Sequence, residues 1–175
     1  MKRVLIIGCG NSLRGDDGLG RTAAESLETL LANPRVEILQ TDQLTPELAE
    51  PVSRAGLVII IDASHTGHPG TWTTEDVTIS AAGNSKLGHH FTPASILAYA
   101  SALYHANPRM LLVTVAGRSF ECSGFPSHEE NPGVPFRYSA RLTPEVEAAL
   151  PDVLRHICAL VEREIGAEMN HNHVV

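Results

Sequence analysis

No apolar run in this 175-residue chain approaches the roughly 18 to 20 residues that a membrane-spanning helix requires. The opening MKRVLIIGCG carries an apolar stretch too short and too early for a signal peptide, so a cytoplasmic location is expected. Cysteine is scarce: Cys9, Cys122 and Cys158 are too scattered for a disulfide framework, and none forms a C-x-x-C pair. Positive charge is thin and dispersed. With 13 Lys and Arg against 20 Asp and Glu, and no basic cluster, the chain lacks the phosphate-neutralising patch that nucleic-acid binding demands. A net charge of -7 is equally unsuited to anionic membranes. No internal repeat or linker divides the chain, and 43% hydrophobic with 19% charged residues is the balance of one globular domain. Residues 1–166 are assigned to that domain, and 167–175, ending in MNHNHVV, are expected to form a disordered tail.

What is present is an alternation of apolar runs and helical periods. Arg3 to Gly8 reads as a buried strand, and residues 17–32 place Leu19, Ala23, Leu27, Leu30 and Leu31 near a helical period that Asn33 and Pro34 close. VEILQTD (36–42) is a second strand, and Thr45 followed by Pro46 predicts a short helix. LVIIID (57–62), almost unbroken in β-branched residues, reads as a central strand ending in an acid. WTTEDVTI alternates like an edge strand, Thr92 and Pro93 open another helix, and RMLLVTVAG (109–117) is a further buried strand. A long amphipathic helix follows, with Val146, Ala149, Leu150, Val153, Leu154, Ile157, Leu160 and Val161 on its apolar stripe; residues 118–141 between the last strand and this helix form a Gly- and Pro-rich excursion. This order predicts an α/β fold, a three-layer α/β/α sandwich around a mostly parallel twisted sheet of about five strands.

In such sheets ligands sit beyond the carboxyl ends of the strands. The loop after the first strand, GCGNSLRGDDGLG, has Gly8 and Gly10 of a dinucleotide fingerprint but Leu13 at the third glycine position, so the close helix approach of that motif is not expected. Asp42 still stands where a ribose-binding acid would, which leaves a nucleotide enzyme as an alternative. Asp17 follows the first strand and Asp62 ends the third, so both carboxylates reach one rim and together attract a cation. The competing reading for Asp16 and Asp17 is helix capping, worth about 0.5 to 2 kcal/mol. His89 and His90 precede the Thr92-Pro93 helix start, and an imidazole beside two carboxylates suits a divalent transition metal such as nickel or zinc. His65 and His68 are auxiliary ligand candidates, and Cys9 a nucleophile candidate without a sequence-adjacent histidine.

GCGNSLRGDDGLG resembles the opening motif G-x-G-N-x-L-x-x-D-[DE]-x-x-G of the hydrogenase maturation proteases, and LVIIIDAS, GHHFTPASILAYA, VTVAGRSFE and LTPEVEAALPDVL match later segments in order. The resemblance implies a hydrolase, an endopeptidase that recognises nickel in the [NiFe] hydrogenase large-subunit precursor and removes its C-terminal extension. It implies that Asp17, Asp62 and His89, with His90 as the one-residue alternative, both grip the metal and serve catalysis, and that nickel is supplied by the substrate. Metal-polarised carbonyl or water with a free carboxylate as base are the chemistries open to it. Neither H-E-x-x-H nor a Ser-His-Asp signature is present, so an unaided zinc or serine protease is not indicated. A noncatalytic metal-binding assembly factor using the same three residues is the other reading. A monomer is the working expectation, since nothing in the sequence fixes the oligomeric state. Two features differ from the family pattern: TDQLTPELAE stands where glycine-rich residues are common, and the 118–141 excursion is longer.

Overall fold

A computed structural model describes residues 3–79, 91–121 and 141–171, with 167–171 as backbone only. Its elements follow in the order β1 (Arg3–Cys9), α1 (Leu19–Leu30), β2 (Val36–Thr41), α2 (Ala49–Ser53), β3 (Ala55–Ser64), β4 (Trp72–Val77), α3 (Pro93–Tyr104), β5 (Arg109–Ala116) and α4 (Pro144–His171). The five strands form one sheet in the order β2-β1-β3-β5-β4. The pairs β1–β2, β1–β3 and β3–β5 are parallel, and β4 closes one edge antiparallel to β5.

Alternation along the strands divides the core into two. Val4, Ile6, Leu57, Ile59, Ile61, Leu111, Val113 and Val115 pack against Leu19, Ala23 and Leu27 of α1 and Val146, Val153, Ile157 and Val161 of α4. Leu5, Ile7, Val58, Ile60 and Met110 face the other way, against Val52 of α2 and Ile96, Leu97 and Ala100 of α3. Both faces of the sheet are covered, as the unbroken apolar run of β3 requires. The result is the three-layer α/β/α sandwich expected from the sequence.

Four details differ from expectation. First, α1 begins at Leu19 after a 3-10 turn, Gly15–Gly18, rather than at Asp17. Second, Asp62 does not end β3: Asp62, Ala63 and Ser64 pair with Thr114, Val115 and Ala116 of β5, whereas pairing with β1 stops at Gly8 opposite Ile61. Third, Thr92 caps α3 through a reciprocal capping box with Ser95, but Thr45 makes no side-chain cap. Fourth, α4 continues past residue 166 to His171. The described residues do not include 172–175.

The missing third glycine also has a different outcome from the one its absence suggests. Gly20, in the first turn of α1, brings the helix backbone onto the sheet: a Cβ there would lie 2.2 Å from the Cys9 carbonyl oxygen and 2.4 Å from that of Ile61. Gly8 answers from the strand, where a Cβ would lie 2.2 Å from the Gly20 oxygen. Close helix approach is therefore encoded, shifted to residue 20. Gly20→Ala should destabilise the protein by about 2 to 3 kcal/mol, because backbone and not a pliable side chain must give way. Urea denaturation at pH 7 measures it, and a loss under about 0.5 kcal/mol would show that α1 is free to lift.

Candidate functional site

The sheet order reverses direction between β1 and β3, since the chain leaves β1 towards β2 on one side and returns to β3 on the other. The crevice at the carboxyl ends of β1 and β3 is the topological switch point, where ligands of such sheets bind. Cys9, at the end of β1, and Asp62, one residue past the last β3 residue that pairs with β1, both stand there.

Beyond β1 the chain turns at Gly10, whose φ of 125° is a left-handed value and whose missing Cβ makes room for the Asp17 carbonyl, 1.8 Å from where a Cβ would be. This turn folds the 3-10 segment back over the rim. Asp17 Oδ2 accepts the Asn11 N–H at 3.1 Å and lies 3.9 Å from the Arg14 guanidinium. Five further loop amides are committed: those of Gly10, Leu13, Arg14, Asp16 and Asp17 donate to Thr41, Asn11, Asn11, Ser119 and Arg14. Those five N–H groups are not free to cradle a phosphate.

Asp62 Oδ1 accepts the Ala63 N–H at 2.8 Å. Burial pushes its carboxyl up to about 6; the Ala63 bond partly opposes this, the Asp17 charge raises it further and His65 lowers it. Burial, reinforced by the charges of Asp62, Asp17 and Asp42, pushes the Cys9 thiol up to about 12. A thiol so placed stays protonated at neutral pH, which removes it as a nucleophile. Asp42 itself is paired with Arg21.

Asp16 points elsewhere. It is the one buried charged residue among those described, and it accepts hydrogen bonds from the amides of Arg118, Ser119 and Thr143 and from the Thr143 hydroxyl. Burial pushes its carboxyl up, but these donors outweigh burial and hold it below its ordinary value. Of the expected histidines, His65 stacks on Phe120 with ring centroids 3.7 Å apart, and exposed His68 contacts only the neighbouring Pro69 oxygen through its ring. His89 and His90 lie outside the described residues. Because α3 delivers the chain to the start of β5, at the end of the strands opposite the rim, the N-terminus of α3 at Pro93 is directed towards the rim. Among the described residues no three His, Cys, Asp or Glu side chains group closely enough to hold a metal. Asp17 and Asp62 both lie at the strand-end rim, within electrostatic reach of one another.

Comparison with solved structures covers almost the entire chain. The hydrogenase-maturating endopeptidase HybD from E. coli is 27% identical, with a TM-score of 0.70 over 94% of each chain. The resemblance to the hydrogenase maturation proteases holds along nearly the whole sequence. An endopeptidase from Escherichia coli solved in solution is also 27% identical, with a TM-score of 0.67 over 94% of each chain. The [NiFe] hydrogenase maturation protease HycI from Thermococcus kodakarensis KOD1, 20% identical, shares the fold with a TM-score of 0.70 over 92% of this chain and 93% of its own. No protein-family model and no curated protein sequence matches the chain. No helix among the described residues is long and apolar enough to cross a membrane.

Sequence reasoning did not foresee the separate role of Asp16 or the platform that Phe120 gives His65. Adjacent acids in a tight turn diverge, but which one faces the rim depends on partners more than 100 residues away.

The raised Asp62 carboxyl has a consequence for stability. The folded protein keeps this proton up to about pH 6, whereas the unfolded chain releases it near 3.8, so stability falls as pH rises between these values and the full cost is present above pH 6. Asp62→Asn should raise stability at pH 8 by up to about 3 kcal/mol and leave it nearly unchanged at pH 3.5. Denaturation curves at the two pH values test this; equal effects at both would assign Asp62 an ordinary carboxyl.

Proposed function

We propose that this protein is an endopeptidase that recognises nickel held in a [NiFe] hydrogenase large-subunit precursor and removes the precursor's C-terminal extension. The observation that carries the reading is the placement of Asp62 and of the loop bearing Asp17 at the switch point. Likeness to HybD, named a hydrogenase-maturating endopeptidase, supports the processing role. Nickel arrives as part of the substrate. Asp17 and Asp62 supply hard oxygen ligands, and His89, or His90 one residue later, supplies the imidazole. A donor set with few protein ligands leaves coordination positions for those the precursor brings.

Hydrolysis needs a water activated beside the scissile carbonyl and a proton for the leaving amine. A carboxylate at this rim left free of the metal would accept the proton from water and return it to the amine. Holding Asp17 and Asp62 without a strong local cation keeps the rim negative until metal-loaded precursor docks, which makes loading a condition of binding. The reaction is placed in the cytoplasm.

The test is the intact mass of nickel-loaded precursor before and after incubation with the protein, beside nickel-free precursor. Loss of one discrete C-terminal peptide from the loaded form alone is expected. Asp17→Asn, Asp62→Asn and His89→Ala should each lower the cleavage rate by at least about 100-fold. A stable complex with unchanged precursor mass would instead identify a noncatalytic assembly factor, and cleavage of both precursors would remove nickel from the recognition step.

A further inference from the structure

Asp16 is fully buried, and a buried carboxylate is costly unless its lone pairs are filled. Here they are filled from two remote points of the chain. The amides of Arg118 and Ser119 reach Oδ2 at 2.7 and 3.1 Å, the Thr143 amide reaches Oδ1 at 2.7 Å, and the Thr143 hydroxyl reaches Oδ2 at 2.9 Å. The Asp16 amide answers by donating to the Ser119 oxygen at 2.8 Å. Both ends of the connection between β5 and α4 are therefore tied to one side chain, and Arg118 adds an ion pair to Glu145 in the first turn of α4 at 2.6 Å. The packing leaves no slack: a Cβ at Gly117 would lie 2.9 Å from the Asp16 Cβ, and one at Gly15 would lie 2.7 Å from the Ser119 oxygen.

An apolar side chain would anchor this connection without charge burial, but hydrophobic contact is non-directional. A carboxylate with four donors fixes orientation as well as place. The fixed object is the single 3-10 turn Gly15–Gly18, which also carries Asp17. The same amides of Arg118 and Ser119 set the start of the segment that presents Phe120, on whose ring His65 stacks within electrostatic reach of Asp62.

We propose that Asp16 is a positioning residue that sets both sides of the candidate site, orienting Asp17 through their shared turn and His65 through Ser119 and Phe120. The inference deepens the processing reading above and rests on it for its effect on activity, but the positioning itself is measurable without any substrate.

Amide hydrogen exchange by NMR on the full chain, in wild type, Asp16→Asn and the milder Thr143→Val, tests it. Local positioning predicts that Asp16→Asn speeds exchange of the Asn11 amide, which is bonded to the Asp17 carboxylate, roughly ten-fold. The α1 core amides of Ala23, Ala24 and Leu27 should stay within about two-fold of wild type, and the His65 ring resonances should lose the shift imposed by Phe120. Thr143→Val should produce the same pattern at smaller amplitude, and it decides the matter if Asp16→Asn does not fold. Wild-type exchange at Asn11 would overturn the proposal, as would parallel acceleration of the α1 amides, which marks a general structural role. On metal-loaded precursor, Asp16→Asn should lower kcat about 10- to 100-fold with little change in KM and should cost nothing further in an Asp17→Asn background. If wild-type protein cleaves no precursor, the processing reading falls while the exchange pattern still decides the part played by Asp16.

Discussion

The contact of α1 backbone with the carbonyl oxygens of Cys9 and Ile61 at Gly20 sets the depth at which everything after β1 lies. With the helix start pressed onto the ends of β1 and β3, the loop between Gly10 and Gly18 has to fold back over the strand ends and not away from them. Gly10 takes the left-handed backbone this return demands, and the Asp17 carbonyl fills the space its absent side chain leaves. A bulkier residue 20 would lift the helix and raise Asp17 away from Asp62. Packing between two backbones thus governs an electrostatic relation between two side chains.

That relation is unfavourable in the folded chain alone. Burial already opposes ionisation of Asp62, and Asp17 opposes it further. The nearest opposing charge to Asp17, the Arg14 guanidinium, stays 3.9 Å away and half exposed, where an ion pair contributes little. Neighbouring polar groups have settled their own needs: Asp42 with Arg21, Asp16 with four donors, the loop amides with carbonyls and with Asn11 and Asp17. Among the described residues, Asp17 and Asp62 are the acids of the rim that lack such close charge partners.

Much of this was legible in the sequence. The apolar run of β3, the alternating edge strand β4 and the Thr92-Pro93 helix start appear where their patterns put them, because each depends on neighbours along the chain. The placement of Asp62 beside the carboxyl end of β1 followed from the strand pattern. What escaped was set by distant contacts. Gly20 could not be recognised as the glycine of close approach without knowing that it lies over Cys9 and Ile61, and the extension of β3 past Asp62 depends on pairing with Thr114 to Ala116. Asp16 and Asp17 are chemically identical neighbours, distinguished only by residues 118, 119 and 143.

The reach of Asp16 also fixes when the rim can form. Its donors lie 102 to 127 residues downstream. A chain emerging from the ribosome presents the Gly8–Gly20 loop early, but the amides and hydroxyl that complete the Asp16 anchor arrive only with Thr143 and the start of α4. Contacts of such separation form late because the entropy of closing the chain must be met first. The first motif to be synthesised is therefore among the last to acquire its final geometry, and a nascent chain short of α4 carries Asp16 and Asp17 without the donors that tell them apart.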